Sequence, residues 1–265
     1  MKLYCISGLP RAGSTLLCNV LAQNPEFYAS QTSGLLDSLM LIRNQWDRIV
    51  EMRAMNQELS ERRKVSVLTS VLNGYYADRN EPVIFDKSRG WLAHLELLKS
   101  ITDYQVKVLV PVRDLRDVLA SFEKLFRKNS PSRQPMVEAQ NYAGFQTVEQ
   151  RCDTWARYDQ PVGIAYNRIK DALQRGWRDS MFFVDYDRFT QNPKRMMENI
   201  YAFLEEPLFN HDFKNVKQVT WEDDTMHGYG AGDLHAIRSE IKPQPPQYPT
   251  ILGAVAEKYK GLELW

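Results

Sequence analysis

A chain of 265 residues that is 43% hydrophobic and 25% charged has the make-up of an ordinary globular protein, with length enough for one large domain. Its 34 basic and 33 acidic residues leave a net charge of +1, which excludes a whole-surface field that gathers nucleic acid or anionic lipid. The apolar runs are short and broken by charge, so none reads as a membrane span, and any anion site has to be built locally. His94, His211, His227 and His235 are scattered, and Cys5, Cys18 and Cys152 lie far apart, so no metal-ligand spacing appears and the cysteines read as buried free thiols. A strand starting at residue 2 leaves no room for a cleaved leader, and a cytoplasmic location is the expectation.

The first element is "KLYCISGL" at 2–9, apolar enough for a strand covered on both faces. It runs into "PRAGST", where Gly8 and Gly13 keep the frame of the phosphate loop G-x-x-x-x-G-K-[ST] but Ser14 replaces the lysine. A glycine turn leading into a helix near Gly13 offers backbone N–H groups and a positive dipole end to an anion. Ser14 and Thr15 add hydroxyls, and Arg11 adds a planar cation. Without the lysine, a nucleoside triphosphate is not the natural guest.

Residues 34–79 read as helical, and "PVIFDK" at 82–87 as a second strand. Its last two residues, Asp86 and Lys87, are read from the sequence alone as a solvated ion pair. "VKVLVPVR" at 106–113 is a third strand, followed by a helix over 114–126 with Leu115, Val118, Leu119, Phe122, Leu125 and Phe126 at helical spacing. Arg113 leaves that strand and Ser121 follows eight residues later, about two turns along the helix. After an aromatic-rich helical stretch at 134–178 comes "SMFFVDY" at 180–186, a fourth strand. In "NPKRMMENIYAFLEEP" Asn192 reads as an N-cap and Pro193 suits the first turn. The stretch 213–250 is polar and carries Gly228, Gly230 and Gly232, a long functional or disordered loop. Strands alternating with helices predict an α/β three-layer sandwich with a central parallel sheet and a P-loop-like strand-loop-helix at its start. Ligands in such sheets bind beyond the carboxyl ends of the strands, which directs attention to 8–15, 86–89, 113–121 and 185–188.

These residues resemble the sulfotransferases that use 3′-phosphoadenosine 5′-phosphosulfate (PAPS). "PRAGST" is similar to that family's P-[KR]-[ST]-G-[ST]-T loop, and its arginine is nearest to the protein-tyrosine sulfotransferases and their bacterial relatives. The spacing from Arg113 to Ser121 matches the family's 3′-phosphate site, and "VDYDRFTQNPKRMMENIYAFLEEP" is similar to its later strand end and helix. The resemblance implies a single sulfotransferase-like domain over 1–265, PAPS as co-substrate, adenosine 3′,5′-bisphosphate as product, and no metal requirement. It assigns the donor to Arg11, Ala12, Gly13, Ser14, Thr15, Arg113, Ser121 and Tyr186, with Arg238 and Lys242 from a closing C-terminal loop. It makes Arg11 and Lys87 catalytic, at the transferring sulfuryl group.

Two departures follow from the same match. The Glu pair that the tyrosine-directed relatives carry about twenty residues past the loop is Gln31 and Thr32 here, leaving Asp37 and His235 as candidate bases. The tryptophan that cytosolic members place after the loop is Leu16. The resemblance implies an acceptor hydroxyl or amine, on a small molecule, glycan or lipid that the sequence does not identify, with the helical stretches 34–79 and 134–178 expected to wall its pocket. Two other readings stay open. One is a P-loop kinase using Mg-ATP, with Asp185 ending "SMFFVD" as magnesium ligand; the other is a sulfotransferase-like binding protein without chemistry.

Overall fold

The computed structural model describes residues 1–129, 142–227 and 234–265. The apolar runs form β1 (Lys2–Ile6), β3 (Val83–Lys87), β4 (Val108–Val112) and β5 (Met181–Asp185), each ending within a few residues of the expected limit. A further strand, β2 (Phe27–Thr32), comes from "FYASQT", whose polar second half hides it from an apolar-run search. The five pair in the order β2-β3-β1-β4-β5, every pair parallel. The register slips between Ala29 and Thr32, and this irregularity brings Thr32 level with Lys87.

In chain order the helices are α1 (Ser14–Leu21), α2 (Leu35–Trp46), α3 (Val50–Ala54), α4 (Gln57–Tyr75), α5 (Leu95–Ile101), α6 (Leu115–Lys128), α7 (Val148–Ala156) and α8 (Pro161–Gln174). Then follow α9 (Tyr186–Gln191), α10 (Pro193–Leu204) and α11 (Tyr248–Leu252). Alternation along each strand sends side chains to two faces. Leu3, Cys5, Ile84, Val108 and Val110 meet Leu39, Leu72, Leu98, Val118 and Trp155 from α2, α4, α5, α6 and α7. Tyr4, Ile6, Phe85, Leu109 and Val184 meet Leu17, Val20, Met197 and Ile200 from α1 and α10 on the other face. The result is the expected three-layer α/β sandwich. Each fully buried aliphatic side chain such as Ile200 contributes roughly 1.5–3 kcal/mol by leaving water.

Local signals also hold. Asn192 accepts from the Arg195 N–H at 3.1 Å with Pro193 in the first turn of α10, and Asp114 caps α6 by accepting from the Arg116 N–H at 2.9 Å. Cys5, Cys18 and Cys152 are free and buried. Of the polar stretch 213–250, the described residues contain only a 3-10 turn at Asp224–His227 and the start of α11. Among the other described residues of this stretch, Val216, Ile237 and Ile241 pack on the α1 and α10 face, where the Val216 N–H donates to the Ser239 carbonyl at 2.6 Å and the Ile241 N–H to the Phe213 carbonyl at 2.9 Å. The expected helical start at 134–141 and Gly228, Gly230 and Gly232 lie outside the described residues. Among those residues no helix is long and apolar enough to cross a membrane, and no group of three or more His, Cys, Asp or Glu is placed to hold a metal.

Candidate active site

Beyond the carboxyl ends of β1, β3, β4 and β5 lies a cleft of about 570 Å³, in the region that parallel sheets reserve for ligands. Its floor is the loop at 8–15. Gly8 has no room for a side chain, because a Cβ would sit 2.2 Å from the Pro111 carbonyl oxygen on β4. Gly13 begins α1 at φ 82°, a left-handed conformation, and a Cβ there would lie 2.5 Å from the Tyr186 ring. No side chain caps α1, so Gly13, Ser14 and Thr15, which line the cleft, present the first turn to it.

Arg11 is also left-handed, at φ 59°, a conformation that costs a non-glycine residue about 1–2 kcal/mol. Its guanidinium is held on two sides: Nε–H donates to Ser121 Oγ at 3.0 Å and Nη1 donates to the Leu234 carbonyl at 2.7 Å. The loop cation and the hydroxyl expected at the 3′-phosphate thus touch directly. Arg113, at the end of β4, stacks its guanidinium on the Tyr186 ring, 4.6 Å from the centroid. Its Nη2 lies 3.5 Å from Asp117 and its buried Nε 3.9 Å from Asp187, an ion pair too long for a hydrogen bond, so Nε makes no hydrogen bond. A buried donor left open costs roughly 1–3 kcal/mol and marks a place for an acceptor to bind.

The end of β3 corrects the sequence reading of an Asp86–Lys87 pair. Successive residues of a strand face opposite ways, so Asp86 joins the α4 side and Lys87 the α1 side. Lys87 pairs instead with Glu222 at 2.7 Å, and both side chains are buried, 7% and 6% exposed. The Thr32 N–H and Oγ–H also donate to Glu222 Oε1, at 2.8 and 2.9 Å. Burial by itself raises the Glu222 carboxyl, but Lys87 and Thr32 outweigh it and bring it down to about 2. Glu222 arrives there because buried Asn19 of α1 clamps the preceding residues. Its Oδ1 accepts from the N–H groups of Val219 and Thr220, and its Nδ2 donates to Thr220 Oγ1 at 2.8 Å.

Next along the same wall stands His235. Its Nδ1 faces Asp224 Oδ1 at 2.5 Å and Glu222 Oε2 at 3.6 Å, and its N–H donates to Asp224 Oδ2 at 3.4 Å. A carboxylate on Nδ1 requires the proton there, which fixes the ring and makes Nε2 the basic nitrogen.

Arg11, Gly13, Ser14, Thr15, Lys87, Arg113, Ser121, Tyr186, His235, Arg238 and Lys242 therefore line one cleft. Arg238 and Lys242 are exposed at its rim, with Lys242 paired to Glu240 at 2.7 Å. Ala12 is buried beneath the loop, and Leu16 lines the wall. Asp37 does not join them: it is exposed on α2, outside the lining of the cleft. Asp185 caps α9, its Oδ1 accepting from the Arg188 N–H at 2.9 Å, and it is not among the residues lining the cleft. Sequence reading missed Asn19, Glu222 and Asp224. An asparagine inside the apolar run of α1 was the available signal for Asn19.

The same region carries the family likeness. Residues 5–211 match the sulfotransferase family. The chain belongs to that family. Glu222, Asp224 and His235 lie past the matched stretch. No curated protein sequence matches this one significantly. Among solved structures, the sulfotransferase domain from the curacin biosynthetic pathway aligns with TM-score 0.53 at 16% identity, over 99% of this chain and 91% of that one. Sulfotransferase STF9 from Mycobacterium avium aligns with TM-score 0.51 at 15% identity, over 98% and 74%. At such identities the likeness is one of fold.

Proposed function

We propose that this sulfotransferase, as one domain over 1–265, moves the sulfuryl group of PAPS to a hydroxyl or amine of an acceptor. The observation that supports the reading best is the convergence on one cleft of an uncapped helix start, Arg11 bonded to Ser121, and Arg113 with an open buried Nε. Two anion sites joined by one arginine suit a ligand with phosphates at two ends, and the loop's missing lysine suits a ligand with no γ-phosphate. PAPS supplies an activated sulfuryl group, displaced in line at sulfur as adenosine 3′,5′-bisphosphate leaves.

The chain's own residues then divide the work. The first turn of α1 with Ser14 and Thr15 orients the 5′ end, and Arg113 with Ser121 holds the 3′-phosphate. Tyr186 fixes Arg113 by stacking beneath it. Lys87 and Arg11 stabilise charge that grows on the bridging and sulfuryl oxygens. His235 Nε2 takes the acceptor proton, with Asp224 holding the ring, and Glu222 positions both Lys87 and His235 without itself lining the cleft. Glu222 is engaged by Lys87 and lies outside the cleft lining, whereas His235 lines it, so the proton goes to the histidine. Against the kinase reading stand the missing loop lysine and the place of Asp185 as the N-cap of α9, outside the cleft lining.

Calorimetric titration in excess chelator tests the reading, with adenosine 3′,5′-bisphosphate and ATP as parallel ligands. Micromolar bisphosphate binding and no ATP binding is expected. Magnesium-dependent ATP binding with no bisphosphate binding overturns the proposal.

A further inference from the structure

The wall of the cleft beyond Lys87 carries charge that the donor does not use. Lys87, Ser88 and Arg89 all line the cleft, and Arg89 stands two residues past the strand end, at most about 7 Å of chain further on. Behind it, Arg168 of α8 donates from Nη1 to the Arg89 carbonyl at 3.0 Å, which ties α8 to this loop and sets a second guanidinium beside the first. Arg43 of α2 and half-buried His94 lie in the same region.

Two arginines of the neighbouring helices are anchored by carboxylates. Arg151 meets Glu123 at 2.7 Å, and Arg175 meets Asp171 at 2.8 Å and Glu96 as well. Arg89 and Arg168 have no such carboxylate within ion-pair distance among the described residues. The one acid that acts on Arg168 is Asp37, the exposed α2 carboxylate, from beyond that distance. Burial and the Arg89 charge push the Arg168 guanidinium down from its ordinary value, with Asp37 pulling the other way. Burial and the charges of Arg43, Arg168 and Arg175 likewise depress His94, against Glu96. Arg89 lines the cleft and Arg168 stands behind it on the Arg89 carbonyl, so two like charges sit one behind the other with no described carboxylate at ion-pair distance, and an anion entering from the cleft would meet both fields.

We infer that the acceptor carries an anionic group, a carboxylate or a phosphate, which Arg89 and Arg168 hold while its hydroxyl or amine lies against Lys87 and His235. The inference rests on the sulfotransferase reading above, because only that reading makes this side of the cleft the acceptor side. It defines the substrate class: a molecule with its nucleophile a short reach from a negative charge. Neutral phenols and uncharged sterol-like alcohols are poor fits.

The test is calorimetry with the donor site saturated by adenosine 3′,5′-bisphosphate, titrating inorganic phosphate and, separately, acetate. Wild-type protein should bind at least one of them saturably in the millimolar range. Arg89→Gln and Arg168→Gln should each weaken that binding about tenfold while leaving bisphosphate affinity unchanged, with Arg168→Lys recovering part of the loss. Preference for phosphate marks a phosphorylated acceptor, and preference for acetate a carboxylate. If the bisphosphate binds normally but both glutamine variants bind the small anions like wild type, or wild type binds neither anion, the acceptor assignment is overturned alone. If the bisphosphate itself does not bind, the sulfotransferase reading falls and the assignment falls with it. Because Arg89 is exposed, its variant remains interpretable even if the Arg168 variants fold poorly.

Discussion

Two buried carboxylates flank the end of β3, one on each side of the sheet, and they do opposite things. Asp86 is fully buried on the α4 side, accepting from the Tyr76 hydroxyl at 2.5 Å and the Trp91 indole at 2.6 Å. Its partners are neutral, so burial pushes its carboxyl up from the ordinary value even though Ser33, Tyr76 and Trp91 pull the other way. Glu222, across the sheet, meets a cation and is driven down to about 2. Asp86 contacts no side chain that lines the cleft, whereas Glu222 contacts Thr32, Lys87 and His235, which all do. Burial alone therefore does not mark function. What distinguishes the two is whether the carboxylate's partners face a cavity.

The sharpest way to separate the two sides is Lys87→Ala. Turnover with PAPS should fall by roughly 100- to 1,000-fold, about 3–4 kcal/mol, while bisphosphate affinity changes little. Steady-state kinetics beside calorimetry check this, and equal losses in both would reduce Lys87 to a binding residue. Arg113→Ala should weaken bisphosphate binding by about 2–4 kcal/mol, because the phosphate loses a buried charged donor. An unchanged affinity in the folded variant would remove Arg113 from the donor site.

On the opposite side, Asp86→Ala leaves a buried hydroxyl and an indole N–H without an acceptor. The expected result is a loss of about 2–3 kcal/mol in denaturant unfolding, with bisphosphate affinity unchanged and partial recovery in Asp86→Asn. A variant of normal stability but altered donor binding would erase the contrast between the two faces.

The smallest effect is a difference in pH dependence. Glu222 has a folded pKa below its unfolded one, so its contribution is complete above about 4.5 and is lost as pH falls toward about 2. Asp86 has a folded pKa above its unfolded one, so its contribution is complete below the ordinary carboxylate value of 3.8 and declines as pH rises above it. Glu222→Gln should therefore remove about 2 kcal/mol of the acid-side loss of stability. Unfolding midpoints measured from pH 5 to pH 2 in both proteins check it, and parallel curves would mean that Lys87 does not hold Glu222 ionised.

Much of this was legible in the chain, and the reasons are physical. Four of the described strands are near-continuous apolar runs, because a parallel sheet covered on both faces has no polar side to show. The loop at 8–15 reads directly because Gly8, Arg11, Gly13, Ser14 and Thr15 are local, and Arg113 and Ser121 reach the same cleft because one strand end and two helical turns fix their spacing. β2 escaped since half of it is polar, and the register slip that sets Thr32 beside Lys87 leaves no mark in composition.

The carboxylate that seemed missing at Gln31 and Thr32 is where the sequence by itself runs out. It returns as Glu222, 190 residues further along, delivered onto Thr32 by the grip of Asn19 on Val219 and Thr220. Local residues determined the fold, the phosphate loop and the kind of ligand the loop suits. Which charges meet, Lys87 with Glu222 rather than Asp86 and His235 with Asp224, was decided only when strand alternation and long-range packing chose the faces, since side-chain pairing across such separations depends on where the backbone goes and not on which residues are neighbours.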